Sequence, residues 1–203
     1  MKWKVCGLRD KENILGVCAQ KPNFIGFIFF EGSSRFVGKD FHPPVISPEI
    51  NKVGVFVNAS LEELIEKVKR YGLDFVQLHG EEGEDLIHDL KKEGIGVIKA
   101  VSVAEEKDFE GLENLNPDLF IFDTKVKGER GGTGKKFDWN IIPNDFNKEF
   151  LLAGGVSLED INQSFIHPKW IGWDFNSKLE IEPALKDLNK VEAIAKAIKS
   201  LND

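Results

Sequence analysis

Leu119-Phe120-Ile121-Phe122-Asp123-Thr124 decides the fold. Four apolar residues run without a break and end on a carboxylate. A strand with one wet face alternates apolar and polar residues. An unbroken run is expected where both faces of a parallel sheet are covered. Phe27-Ile28-Phe29-Phe30 reads the same way. Working outward, β-rich runs recur at Trp3–Cys6, Phe24–Phe30, Val53–Asn58, Phe75–His79, Val97–Val101, Leu119–Thr124, Phe150–Ala153 and Trp170–Phe175, one about every 25 residues.

The stretches between them carry helix signals. Ser60-Leu61-Glu62-Glu63 reads as a capping box, followed by Leu61, Leu64, Ile65 and Val68 on one face. Ser102…Glu105 and Ser157…Asp160 predict similar starts, and Ser47-Pro48 places a cap before a proline at the first helical position. Gly72 and Gly94 stand where helices stop. Leu188, Val191, Ile194, Ala195, Ile198 and Leu201 form the stripe of a final helix. Strands alternating with helices predict βαβ units, and eight of them close a (β/α)8 TIM barrel, an α/β fold. An open doubly wound sheet more often has a glycine-rich phosphate turn after its first strand; here Cys6-Gly7-Leu8-Arg9 carries one glycine.

At 203 residues, with no linker or low-complexity tract, the expectation is a single barrel domain over residues 1–203. A net charge of −7 disfavours a nucleic-acid backbone as partner. No apolar run reaches the roughly 18 residues of a membrane span, and the N-terminus is too quickly polar for a signal peptide. The expected location is the cytoplasm, with no membrane partner and a monomeric or homodimeric state. The two cysteines, Cys6 and Cys18, are not in C-x-x-C spacing, so neither a disulfide scaffold nor a thiol redox centre organises the chain. His42, His79, His88 and His167 show no metal-ligand spacing, and no metal is expected.

In a barrel the site forms at the C-terminal strand ends. Cys6 ends the first strand, Ser34 and Arg35 follow the second, His79 ends the fourth and Asp123 the sixth. Gly154-Gly155 follow the seventh strand, and Asp174, Asn176 and Ser177 belong to the end of the eighth. A thiolate can serve as base or nucleophile, and a carboxylic acid of raised pKa can protonate a leaving oxygen. Cys6 and Asp123 are therefore the candidate pair, although Cys6 alone also fits a small buried apolar residue. Leu152-Ala153-Gly154-Gly155 runs from a strand into a turn whose N–H groups suit a phosphate or a simple tight turn. Gly128–Lys136 is not a Walker loop; it reads as a mobile lid.

These residues resemble the phosphoribosylanthranilate isomerases, single-domain (β/α)8 enzymes of tryptophan biosynthesis. The matching stretches are Lys4-Val5-Cys6-Gly7-Leu8, Ser34-Arg35-Phe36-Val37, Val53–Asn58, Val76-Gln77-Leu78-His79-Gly80 and Phe122-Asp123-Thr124-Lys125. Further on come Gly131-Gly132-Thr133-Gly134, Phe137-Asp138-Trp139, Leu152–Val156, and Gly172-Trp173-Asp174 with Glu180, Pro183, Lys186 and Asp187. The resemblance implies an Amadori rearrangement of N-(5-phosphoribosyl)anthranilate, a small phosphorylated aminosugar, without a cofactor. It implies Asp123 as general acid, Cys6 as general base, Arg35 on the anthranilate carboxylate, and Asp174 near the sugar hydroxyls. Gly154, Gly155, Asn176 and Ser177 are implied around the phosphate. Asp174-Phe175-Asn176-Ser177-Lys178-Leu179-Glu180 departs from the commoner pattern: Asn176 replaces a serine, Lys178 a glycine, and Ala184 also stands where glycine is common. The competing readings are a catalytically silent phospho-ligand barrel and a related aminoaldose-phosphate isomerase, which generally uses two aspartates.

Overall fold

The computed structural model describes residues 1–124, 136–161 and 165–201. Eight parallel strands close a barrel in sequence order. They are β1 (Lys2–Val5), β2 (Phe24–Ile28), β3 (Asn51–Phe56), β4 (Phe75–Leu78), β5 (Gly96–Val103), β6 (Leu119–Thr124), β7 (Phe150–Leu152) and β8 (Trp170–Phe175). All eight expected strands form. β1 meets β8 in parallel, with Lys4 opposite Asp174 and Val5 opposite Phe175, which shuts the cylinder. A small antiparallel pair, β9 (Glu180–Glu182) and β10 (Leu185–Lys186), follows β8.

The unbroken apolar runs are explained by two separate cores. Phe24, Val53, Ile98, Ala100, Leu119, Ile121, Leu151 and Ala153 pack together as the barrel filling. The alternate residues, among them Phe27, Val76, Phe120, Phe122, Phe150 and Trp173, pack outward against the surrounding layer. Phe120, Phe122, Phe146 and Phe150 interlock there with ring centroids 4.9–6.1 Å apart, mostly edge-on or tilted with Phe120 and Phe122 stacked, arrangements that aromatic quadrupoles favour.

Among the described residues the helices are α1 (Lys11–Cys18), α2 (Leu61–Tyr71), α3 (Glu84–Lys92), α4 (Leu158–Ile161) and α5 (Leu188–Ser200). Ser60 caps α2 through Glu63 N–H, and Gly72 ends it with φ +57°. Val191, Ile194 and Ile198 of α5 are buried, whereas Leu188 and Leu201 at its ends are exposed, contrary to the full stripe expected. Two expected helices do not form. Ser47 accepts from Glu49 N–H, but β3 begins at Asn51, which leaves room only for one turn closed by Ile50 N–H on Ser47 O. Ser102 lies inside β5, paired with Asp123 of β6, so the turn begins later, at a Glu105/Asp108 capping box, and is a 3-10 turn (Glu106–Phe109). Replacing helices by short turns is how the barrel fits into few residues. No helix among the described residues is long and apolar enough to cross a membrane.

Candidate active site

Alternation along β1 turns Lys4 and Cys6 toward the barrel interior. Lys4 is fully buried. Its Nζ donates to both oxygens of Asp174, at 3.0 and 2.9 Å. Cys6 follows β1, with 4% of its surface exposed, and its N–H donates to Phe175 O at 2.8 Å. Its sulfur occupies space left by Gly26 of β2: a Cβ there falls 2.6 Å from Cys6 Sγ. Burial pushes the Cys6 thiol pKa up; the Lys4 ammonium is the first influence against it.

Asp123 continues the inward alternation of Leu119 and Ile121 on β6. Its Oδ1 accepts from Thr124 N–H at 2.7 Å, and its Oδ2 lies 3.8 Å from Nε2 of His79, which follows β4. Burial pushes the Asp123 carboxyl up, with the Thr124 N–H and Lys4 opposing. Burial pushes His79 down, disfavouring the imidazolium. The carboxyl and the thiol thus enter one barrel mouth from different walls, with β7 and β8 between their strands. A carboxyl whose hold on its proton is strengthened by burial and a thiol near a buried cation are groups suited to giving and taking protons.

Arg35, in the loop after β2, is held by Glu180 in a two-point fork: Nε to Oε1 at 2.8 Å and Nη2 to Oε2 at 2.7 Å. Glu180 Oε1 also accepts from Lys186 Nζ at 2.8 Å, and Lys186 Nζ donates to Asn176 Oδ1 at 2.8 Å. Glu180 is pulled below the usual carboxylate range because Arg35 and Lys186 outweigh burial. Asn13 of α1 brackets the Lys186 backbone, donating to its O and accepting from its N–H, both at 2.8 Å. Gly7, with φ +73°, lets β1 turn close to this network: a side chain there meets Asn176 Oδ1 at 2.7 Å and Arg35 Cδ at 2.8 Å.

Gly154 and Gly155, at φ +85° and +76°, follow β7, and Gly154 presses on Thr124, where a Cβ has no room. Asn176 and Ser177 follow the adjacent strand β8, Ser177 opening a 3-10 turn (Ser177–Leu179). Lys178 is exposed in that turn. Three non-glycine residues among those described have positive φ: Lys21, Asn58 and Ala184. Lys178 is not one of them, so its position makes no demand for glycine; Ala184, at φ +70°, does occupy glycine's region. The expected lid, Gly128–Lys136, lies outside the described residues except for Lys136, which pairs with Asp160.

Sequence reasoning assigned no role to Lys4, His79, Glu180 or Lys186. Lys4 offered one signal: a charge at an inward position of an apolar strand. The Glu180–Lys186 pairing gave none, because it needs the fold of the small β9–β10 hairpin.

The model of the family described as N-(5'-phosphoribosyl)anthranilate (PRA) isomerase matches residues 3–197. The chain belongs to this family. A family member from Parabacteroides distasonis, an N-(5'-phosphoribosyl)anthranilate isomerase, is 44% identical over 93% of this chain and 89% of its own length. The crystal structure of phosphoribosyl anthranilate isomerase from Thermotoga maritima superposes with a TM-score of 0.85 at 30% identity, covering 98% of this chain and 99% of that one. A phosphoribosyl anthranilate isomerase in complex with reduced 1-(o-carboxyphenylamino)-1-deoxyribulose 5-phosphate matches at TM-score 0.80 and 28% identity, over 98% and 99% of the two chains.

Proposed function

We propose that the chain isomerises N-(5'-phosphoribosyl)anthranilate to 1-(2-carboxyphenylamino)-1-deoxyribulose 5-phosphate, a step of tryptophan biosynthesis, with Asp123 as acid and Cys6 as base. The observation that carries the assignment is the entry of an inward carboxyl and an inward thiol into one barrel mouth from β6 and β1, in a chain matched along residues 3–197 by the isomerase family.

The Asp123 carboxylic acid gives its proton to the furanose ring oxygen. The C1–O bond breaks while the anthranilate nitrogen lone pair forms the C1=N bond, giving a Schiff base. The Cys6 thiolate then removes the C2 proton; that electron pair becomes the C1=C2 bond and the nitrogen recovers its own pair. The resulting enolamine tautomerises to the ketone. The substrate nitrogen serves as the electron sink. Burial favours the protonated Asp123 that the first step needs.

At the ligand's two ends, Arg35 receives the anthranilate carboxylate through the Nη1 side that the Glu180 fork leaves open, an orientation suited to a planar guanidinium. The phosphate lies among Gly154, Gly155, Asn176 and Ser177, where Lys186 holds Asn176 Oδ1 and so fixes its side-chain amide. Asp174 sits near the sugar hydroxyls. Its two oxygens also serve Lys4.

The test is turnover of freshly generated phosphoribosylanthranilate, followed by loss of anthranilate-type fluorescence. The native chain should turn over, and Cys6→Ser and Asp123→Asn should each lose about 10²–10⁴-fold in kcat with the fold intact. Binding of the reduced product analogue without turnover would instead indicate a silent phospho-ligand barrel.

A further inference from the structure

A charge in a barrel interior needs a reason. Lys4 is fully buried, and so is nearly all of its partner Asp174. Removing two charges from water commonly costs as much as their attraction returns, so stability alone is a poor account of the pair. An apolar pair of similar size would fill the same space.

Position supplies the better account. Lys4 and Cys6 stand two residues apart on one strand, facing the same interior, with Cys6 nearer the mouth. Each group bears on the other's titration: the thiolate favours the ammonium, and the ammonium favours the thiolate. Asp174 is in register with Lys4 across the β1–β8 seam, and its two oxygens pin Nζ at one place. A lysine has a flexible four-carbon stem; two short bonds to one carboxylate remove that freedom before any substrate arrives. The other charges facing Cys6 are Lys186 of β10 and Arg35 of the loop after β2. Asp123 of β6 and His79 after β4 face the Lys4–Asp174 pair.

We propose that Lys4, clamped by Asp174, is a positioning residue: the fixed counter-charge of the Cys6 thiolate when the base gives up its proton. This rests on the assignment of Cys6 as base. The alternative, a purely structural ion pair, predicts different signs. Burial raises the thiol, so loosened packing lets its titration fall back toward the ordinary value of about 8.5 whichever partner is removed. A counter-charge predicts opposite effects. Removing the cation moves the thiol up. Removing Asp174, whose negative charge pushes the thiol up, moves it down.

The experiment titrates the Cys6 thiolate by its ultraviolet absorbance in a Cys18→Ala background, with the Cys6→Ser chain as blank, alongside the pH profile of kcat/KM. Lys4→Met should raise the Cys6 midpoint by about one unit or more, Asp174→Asn should lower it, and the double variant should fall between them. The rising limb of kcat/KM should move with the midpoint in Lys4→Met. A midpoint unchanged or lowered in Lys4→Met overturns the counter-charge. If Lys4→Met does not fold, Lys4→Gln takes its place, and a midpoint unchanged or lowered there overturns the counter-charge. Midpoints that move as stated while the kcat/KM limb stays fixed support the counter-charge and refute Cys6 as base, which separates the two claims.

Discussion

Gly26→Ala adds one methyl group to the wall of the site. Built on the present backbone, that Cβ lies 2.6 Å from Cys6 Sγ, 3.2 Å from Cys6 Cα and 3.3 Å from Cys6 Cβ. Ordinary contact is roughly 3.5–4.0 Å, so the sulfur must retreat by about 1 Å or swing to another rotamer. The backbone has little freedom to yield. Cys6 N–H is tied to Phe175 O at 2.8 Å, and Leu8 N–H to Gly26 O at 3.0 Å. Overpacking of this kind costs about 1–3 kcal/mol of stability. A base displaced by about 1 Å costs about 10²-fold in kcat/KM, because the near-attack geometry is lost. Arg35 and the loops after β7 and β8 are untouched, so the loss should fall on kcat and leave KM nearly native. The assay pairs the fluorescence turnover measurement with thermal unfolding. A variant within a factor of about three of native kcat/KM, at native Tm, would show that the thiol has room to spare and would refute the reasoning.

Two other outcomes are expected. Burial raises the Asp123 carboxyl, so the stability linked to its proton is whole below the unfolded value of about 3.9 and lost as pH rises through the native value; Asp123→Asn should therefore unfold at a higher Tm than the native chain at about pH 7, the curves converging toward about pH 4, and a lower Tm at neutral pH would contradict this. Lys178→Gly should change KM by less than about twofold, since Lys178 is exposed with an ordinary backbone; a large fall in KM would show that the side chain obstructs the phosphate.

Much of this fold could be read from periodicity because a parallel barrel strand is buried on both faces. Leu119–Thr124 and Trp170–Phe175 come out with the bounds expected, and the other six shift by one to two residues at one or both ends. Cap chemistry was a weaker guide. Ser60 and Ser47 each accept from a nearby N–H, yet one opens a helix of three turns and the other a single turn. What separates them is the distance to the next strand, which no local motif records. The site divides in the same way. Cys6, Asp123 and Asp174 were legible as polar residues at strand ends. Their partners were not: Lys4 meets Asp174 across 170 positions and Arg35 meets Glu180 across 145. Such pairs exist only once the cylinder closes.

That closure has a consequence for how the molecule is made. β1 is made before the seven other barrel strands and β8 after them, and each is the other's neighbour. Until β8 appears, β1 has an open edge, Lys4 lacks its carboxylate, and the nascent chain is a curled sheet without a seam. Contacts this remote in sequence are slow to form, and an unpaired edge invites pairing with a second chain. Lys4 and Cys6 are thus made well before Asp174, the residue that fixes Lys4 in place. Closing the barrel and bringing Asp174 to Lys4 are one and the same contact between strands.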